Sequence, residues 1–108
     1  MRKLICAALI CVAPVANAEF WDGNKLQRFL SESPGYNNGA AMGFIIGVHD
    51  VGEGVLHCSP SNITAGQAKA VVQAYLNEFP SLLHNTAQVL VTRALQRAWP
   101  CPAKGNPT

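Results

Sequence analysis

Residues Tyr36 to Val51, YNNGAAMGFIIGVHDV, form the stretch around which the rest of the chain is organised. On a helical wheel its apolar residues cover every side, which is typical of a helix enclosed by its neighbours. Gly39, Gly43 and Gly47 recur at every fourth position and therefore share one face. A glycine inside a helix costs about 0.5–1 kcal/mol relative to alanine, so three in line suggest that another backbone comes close there. An ordinary core helix whose glycines have no such role is the alternative.

This stretch is too short and too polar at its start to span a bilayer, which needs about 20 apolar residues. We therefore predict that it is the buried central helix of a small helical bundle. The residues before and after it have to supply the helices that cover it.

The first 18 residues have the pattern of a secretory signal peptide. Arg2 and Lys3 are followed by an apolar run from Leu4 to Val15, and Ala16-Asn17-Ala18 is a small-residue cleavage site. We expect cleavage after Ala18 and export of the remainder, with no membrane-spanning segment left in the mature chain. The apolar run is too short to serve as an anchor.

The mature chain is small and electrically neutral. Removing 18 of the 108 residues leaves 90, which fits one domain. The net charge of +2 resides in Arg2 and Lys3, so six acidic and six basic side chains remain after cleavage. A neutral chain without a basic stripe has no long-range field that attracts phosphates, and nucleic acid is not expected as a partner.

Two cysteines, Cys58 and Cys101, remain after cleavage. An even pair in a small exported chain is typical of a disulfide, and closing a loop of this length is worth about 4 kcal/mol in the chain-entropy model. A redox pair or metal ligands are the alternatives. Neither cysteine lies in a C-x-x-C motif, and structural zinc sites usually need four closely spaced ligands. We predict a structural disulfide.

Helical patterns flank the central stretch on both sides. Residues 19–32 predict a short amphipathic helix, and Thr64-Ala-Gly-Gln67 is a capping box that starts a helix ending at Pro80. A last helix is predicted from about Ser81 to Trp99. No segment alternates with period two, so we predict an all-α bundle of about four helices over residues 19–101. A disordered tail is predicted at 102–108.

The predicted inner faces of these helices consist of aliphatic and aromatic residues at helical spacing. For the last helix they are Leu83, Ala87, Leu90, Val91, Ala94 and Ala98, with Leu95 at the edge. His84 lies at the start of this face, and we expect it to be partly buried. Trp21 and Trp99 are candidates either for core packing or for contacts between two copies of the chain.

The mature chain lacks an evident catalytic cluster, since catalysis needs a nucleophile, a base or a metal in a defined arrangement. His49 and His57 can approach each other across a loop and recruit Asp50 or Glu53, but their spacing matches no helical ligand pair. We therefore expect no bound metal and no cofactor. Both mature cysteines are used by the disulfide, and the sequence contains no phosphate loop or dinucleotide fingerprint. We expect that the protein is not an enzyme.

An ordered set of motifs extends through most of the mature chain. In sequence order they are Tyr36-Asn-Asn-Gly39, Cys58-x-Pro60, Thr64-x-x-Gln67, Val71-Val72-x-x-Tyr75-Leu76-x-x-x-Pro80 and Ala94-Leu95-x-x-Ala98-Trp99-Pro100-Cys101. Taken together, this set resembles the Rap/Tai immunity proteins of bacterial type VI secretion systems. The resemblance covers roughly Gly35 to Cys101. Trp99 stands where a phenylalanine is expected, which is an aromatic exchange.

The resemblance implies a periplasmic, helical and often dimeric protein that blocks a peptidoglycan amidase delivered by a neighbouring cell. The enzymes inhibited in this way are cysteine amidases, and inhibition comes from occlusion of their cleft. Export, a disulfide and the lack of catalytic groups agree with this expectation. The alternative is a small periplasmic helical chaperone or binding module with no dedicated toxin. An acid-activated chaperone relies on many carboxylates, whereas the mature chain has six.

Occlusion of a cleft requires a projecting, flexible segment. We predict the connector formed by residues 49–57, because Gly52 and Gly54 allow its backbone to bend closely against another surface. An ordinary surface loop is the alternative, and the segment Ser31 to Asn38 is a second candidate. The predicted partner-binding residues are His49, Asp50, Gly52, Glu53, Gly54 and His57.

Overall fold

The computed structural model describes residues 20–103, in which four α-helices and one short 3-10 helix are connected by tight turns. The helices are α1 (Gly23–Ser31), α2 (Tyr36–Gly52), α3 (Ala65–Glu78) and α4 (Ala87–Ala98), with the 3-10 helix at Pro80–Leu82. The predicted all-α bundle is confirmed. The predicted signal peptide and the tail beyond Ala103 lie outside the described residues.

The helix ends follow from local chemistry. The Asp22 carboxylate accepts a hydrogen bond from the Lys25 backbone N–H at 2.9 Å and caps α1. Thr64 and Gln67 form the predicted capping box of α3, with the two hydrogen bonds at 3.1 and 2.8 Å. Pro80 begins the 3-10 helix directly after α3. Within residues 20–103, no helix combines the length and the apolar character that crossing a membrane requires.

A single apolar core holds the four helices together. Each helix contributes aliphatic residues at helical spacing, and the inner face predicted for the last helix is buried except at Ala98. The core consists of Leu26, Leu30, Ala41, Ile45, Ala68, Val72, Leu76, Leu83, Ala87, Leu90, Val91, Ala94 and Leu95.

The predicted disulfide between Cys58 and Cys101 is present and spans 43 positions of the chain. It joins the segment before α3 to the segment after α4, and the Cys58 N–H also donates to the Trp99 carbonyl at 2.8 Å. Closing a loop of this size contributes about 4 kcal/mol in the chain-entropy model. The disulfide therefore fixes the chain beside the end of α2, where the candidate site lies.

The helix predicted from Ser81 begins later, at Ala87. The segment 83–87 pairs its backbone with residues 21–24 and does not continue as an α-helix. These bonds are Gly23 N to Asn85 O at 3.0 Å, Asn24 N to Leu83 O at 3.1 Å and Ala87 N to Trp21 O at 2.7 Å. Because this segment lies outside α4, His84 is exposed, and the prediction that it is partly buried was wrong.

Gly23 allows this close crossing of two backbones. A Cβ at this position would lie 2.9 Å from the Leu83 carbonyl oxygen and would collide with a methyl group of Leu90. At the start of α1 the chain therefore passes close to the backbone of another segment.

Helix α2 is not enclosed as predicted. Only Ala41, Ile45 and Gly52 are buried, and a Cβ at Gly39, Gly43 or Gly47 would have nothing within 4 Å. The prediction that another backbone of this domain comes close along these glycines was wrong. The apolar residues of α2 cover all sides of the wheel because its outer face carries glycines and exposed apolar side chains in place of charges.

Candidate functional site

Helix α2 ends in a tight turn. The Gly52 carbonyl accepts from the N–H groups of Val55 at 3.0 Å and Leu56 at 2.7 Å, and the Gly54 N–H donates to the His57 carbonyl at 2.7 Å. Gly54 has a φ of +79°, a left-handed conformation that costs other residues free energy. We call residues 53–57 the α2 turn.

The structure divides the predicted connector 49–57 between two elements. His49 and Asp50 belong to the last turn of α2, Gly52 is buried at its end, and Glu53 and Gly54 are exposed in the α2 turn. His57 is buried, with 1% of its surface exposed. The segment is thus a compact hydrogen-bonded projection and differs from the flexible connector expected from two glycines.

Four polar residues meet at the base of this turn. The Ser59 hydroxyl donates to Glu53 Oε2 at 2.6 Å, and its backbone N–H donates to Glu53 Oε1 at 3.1 Å. His49 Nε2 lies 3.0 Å from Ser59 Oγ and 3.4 Å from Glu53 Oε2. Because the hydroxyl has only one hydrogen, which it gives to Glu53, His49 Nε2 acts as the donor to Ser59 Oγ. The His49 and His57 ring centroids are 4.9 Å apart.

The electrostatics of the cluster favour an ionised Glu53 beside a neutral His57. The hydrogen bond from the Ser59 hydroxyl lowers the pKa of Glu53, with smaller contributions from the Ser59 N–H and the two histidines. Burial lowers the pKa of His57, and the nearby Glu53 carboxylate opposes that shift only in part. His57 Nε2 is buried and has no hydrogen-bond partner among the described residues.

Three apolar side chains project around this polar cluster. Val51 is 85% exposed, Val55 is 72% exposed and Leu56 is 43% exposed. Exposed apolar side chains that cluster in this way commonly mark interaction sites. These three residues are not among the partner-binding residues predicted from the sequence, although the apolar pair Val55-Leu56 stands out in a turn that is otherwise polar and glycine-rich.

The apolar surface continues from the turn along a groove between α2 and α4. The two exposed glycines of α2 nearest the turn form its floor, and apolar side chains of the same helix form its edge. The residues that line the groove are Gly43, Phe44, Gly47, Val48, Val51, Leu56, Gln88 and Thr92.

The second candidate segment, Ser31 to Asn38, has a structural role. The Asn38 side-chain amide lies 3.4 Å from the carbonyl oxygens of Phe29, Leu30 and Glu32, where it can satisfy the end of α1. Tyr36 is exposed in this segment, at the opposite end of α2 from the turn.

The two tryptophans are half-buried and pack against the core. Trp21 lies between two rings, at 5.1 Å edge-to-face from Phe29 and 5.4 Å stacked on Phe44. Both tryptophans therefore contribute to packing within the domain, which was one of the two interpretations of the sequence.

These features define a small, disulfide-linked helical domain with a hydrogen-bonded turn and exposed apolar side chains at the end of α2. A family profile for Rap1a immunity proteins matches residues 22–101. The chain belongs to the Rap1a immunity protein family, which confirms the resemblance noted in the sequence. A comparison with curated proteins finds no match. Family membership supports the role of an immunity protein that binds a cognate effector.

Proposed function

We propose that the exported mature chain binds a type VI secretion peptidoglycan amidase effector in the periplasm and occludes its cleft. Membership of the Rap1a immunity family supports the immunity role. The signal-peptide pattern of residues 1–18 supports export to the compartment that contains the cell wall. In this role the protein acts by binding and performs no chemistry itself.

The observation that carries the proposal is the exposure of Val51, Val55 and Leu56 around the α2 turn. Burying one such side chain in a partner yields about 1.5–3 kcal/mol, so three together can supply the centre of an interface. The turn is already closed by hydrogen bonds to Gly52. Its insertion therefore loses little conformational entropy, which favours tight binding.

The predicted partner-binding residues fit around this centre. Asp50 and Glu53 are exposed and acidic, and they lie beside the apolar side chains as a polar rim. Rim charges contribute mainly to the rate of association and to the choice of partner. Gly52 and His57 are buried, so in the proposal they support the turn and do not contact the effector.

The proposal is tested with the mature chain and its cognate type VI amidase effector, which is sought among the products of the adjacent genes. The triple variant Val51→Ser, Val55→Ser, Leu56→Ser should bind at least about 100-fold more weakly in a titration, equivalent to about 2.7 kcal/mol. Tyr36→Ser is the matched control, because it also removes an exposed apolar side chain from α2 at a distance of about 22 Å along the helix. Equal affinity of the triple variant and the wild type would contradict the proposal.

We also propose that two copies of the chain associate through the glycine face of α2, formed by Gly39, Gly43 and Gly47. Dimerisation is an expectation of the family resemblance, and the two tryptophans considered for it pack within the domain. The glycine face has open space at all three positions, so the backbone of a second helix can approach there.

A further inference from the structure

The base of the α2 turn brings three metal-ligating side chains together. One ligand atom each from His49, Glu53 and His57 lies within 4.8 Å of the other two. Glu53 Oε2 is 3.0 Å from His57 Nε2 and 3.4 Å from His49 Nε2. Ligands placed about 2.0–2.1 Å from a tetrahedral zinc ion lie about 3.4 Å from each other. The carboxylate oxygen therefore already has nearly the required separation from both imidazole nitrogens.

His57 provides a second and independent observation. Its side chain is almost completely buried, and Nε2 has no hydrogen-bond partner although Glu53 Oε2 is only 3.0 Å away. The ring N–H is not directed at that oxygen, so this short distance is not a hydrogen bond. His57 Nε2 therefore has no partner. Buried polar atoms without a partner are uncommon and call for an explanation, and an ion shared by the two groups supplies one.

The surroundings hold the ligands in place. His49 and Glu53 are four residues apart at the end of α2 and therefore project from the same side of the helix. Ser59 fixes the Glu53 carboxylate with two hydrogen bonds, and Asp50 Oδ1 lies 3.5 Å from His49 Nδ1. A ligating histidine usually gives its other ring N–H to a carboxylate or carbonyl. Asp50 is placed to receive that proton once His49 Nε2 binds a metal.

Gly52 makes room for the buried imidazole. A Cβ at Gly52 would lie 3.1 Å from two atoms of the His57 ring, which is closer than ordinary packing allows. Gly52 thus leaves space for the imidazole ring. The backbone of the α2 turn reverses direction and brings His57 back to the end of α2. This return is what joins two histidines separated by eight residues in the chain.

We propose that His49, Glu53 and His57 bind one divalent transition-metal ion, for which zinc is the best match. Two imidazoles and one carboxylate suit zinc, whereas magnesium and calcium prefer oxygen ligands alone. Three protein ligands leave a fourth position for water. The sequence alone predicts no bound metal, because the spacing of His49 and His57 matches no helical ligand pair. This proposal does not depend on effector binding, since it concerns the isolated chain.

The test uses the mature, disulfide-bonded chain without a histidine tag, stripped of metal by dialysis against a chelator. Zinc sulfate is titrated in competition with a chromophoric zinc indicator, and magnesium serves as the negative ion. We expect one zinc per chain with a micromolar or tighter Kd and no magnesium binding. At a free zinc concentration of 100 times the Kd, the Tm should rise by about 10 °C. Absence of saturable zinc binding would overturn the proposal.

Three single variants, one of which is a control, test which side chains bind the zinc ion. His49→Gln and Glu53→Gln should each weaken zinc binding at least tenfold, whereas His84→Gln, which removes the exposed histidine outside the cluster, should leave it unchanged. Glu53→Gln keeps an oxygen acceptor for Ser59, so a purely structural role of Glu53 would not produce this loss. A smaller loss in either cluster variant, or an equal loss in His84→Gln, would overturn the assignment.

X-ray absorption of the wild-type zinc complex tests the site without any substitution. The expected first shell contains two imidazole nitrogens with oxygen ligands. A first shell that contains sulfur, or fewer than two imidazoles, would overturn the proposal even if a variant failed to fold.

Discussion

The glycine face of α2 and the two residues Gly23 and Gly54 differ in how strictly each position requires glycine. A Cβ at Gly39, Gly43 or Gly47 would have nothing within 4 Å. At Gly23 a Cβ would be 2.9 Å from a backbone carbonyl, and at Gly54 the backbone itself has a positive φ. The regular glycine spacing within α2 thus marks an open surface, whereas Gly23 and Gly54 mark two places where the chain requires glycine.

Contacts in the folded chain determine whether a position requires glycine. The requirement at Gly23 comes from Leu83 and Leu90, which lie about 60 residues further along the chain. Helical spacing within α2 contains no information about such a distant contact. The two groups of glycines therefore have to be separated by experiment, with the unfolding free energy of the isolated chain as the common measure.

The largest effect is expected at Gly23. Replacing Gly23 with alanine should lower the free energy of unfolding by about 1–3 kcal/mol, because the new methyl group overpacks the crossing of α1 and segment 83–87. Urea denaturation monitored by circular dichroism measures the change, and Gly39→Ala is the matched control. If Gly23→Ala lowered the free energy of unfolding by less than Gly39→Ala does, the close approach of Gly23 to segment 83–87 would be contradicted.

An intermediate effect is expected at Gly54. Gly54→Ala should destabilise the chain by about 1–2 kcal/mol because alanine is strained at positive φ. Gly54→Asn should cost less, since asparagine adopts the left-handed conformation more readily. The same urea titration compares the two variants. If both were as stable as the wild type, the turn would not require the backbone conformation described for Gly54.

The smallest effect, and one of opposite sign, is expected on the glycine face. Gly43→Ala and Gly47→Ala should each stabilise the monomer by about 0.5–1 kcal/mol, because alanine is the better helix former and its methyl group meets open space. Urea denaturation at low protein concentration measures this. Destabilisation of the monomer would contradict the open surface.

The same two alanine variants also test whether two copies of the chain associate through the glycine face. Light scattering over a range of protein concentrations should show weaker self-association in Gly43→Ala, Gly47→Ala than in the wild type. Unchanged association, or a wild type that is monomeric at all concentrations, would exclude the glycine face as the contact between copies.

The fold was predictable from local patterns wherever local chemistry decides it. Thr64 and Gln67 define the start of α3, Pro80 follows its end, and the two mature cysteines pair as expected. The start of α4 was not predictable, because segment 83–87 makes its hydrogen bonds with residues 21–24. The exposure of His84 follows from that same distant pairing.

The local structure of the candidate site was only partly predictable from the sequence. The sequence pointed to residues 49–57, and the structure places there an ordered turn with exposed Val55 and Leu56. The sequence allowed His49, His57 and Glu53 to meet but did not predict that they do, because a spacing of eight positions from His49 to His57 fits no helical ligand pair. Only the reversal of the chain in the α2 turn brings them together.

The most direct test of the central claim measures hydrolysis of peptidoglycan fragments by the cognate amidase effector in the presence of this protein. An equimolar amount of the mature chain should abolish cleavage, and Tyr36→Ser should do the same. The Val51→Ser, Val55→Ser, Leu56→Ser variant should leave cleavage close to its uninhibited rate. Full inhibition by that triple variant would contradict the claim that the α2 turn occludes the cleft.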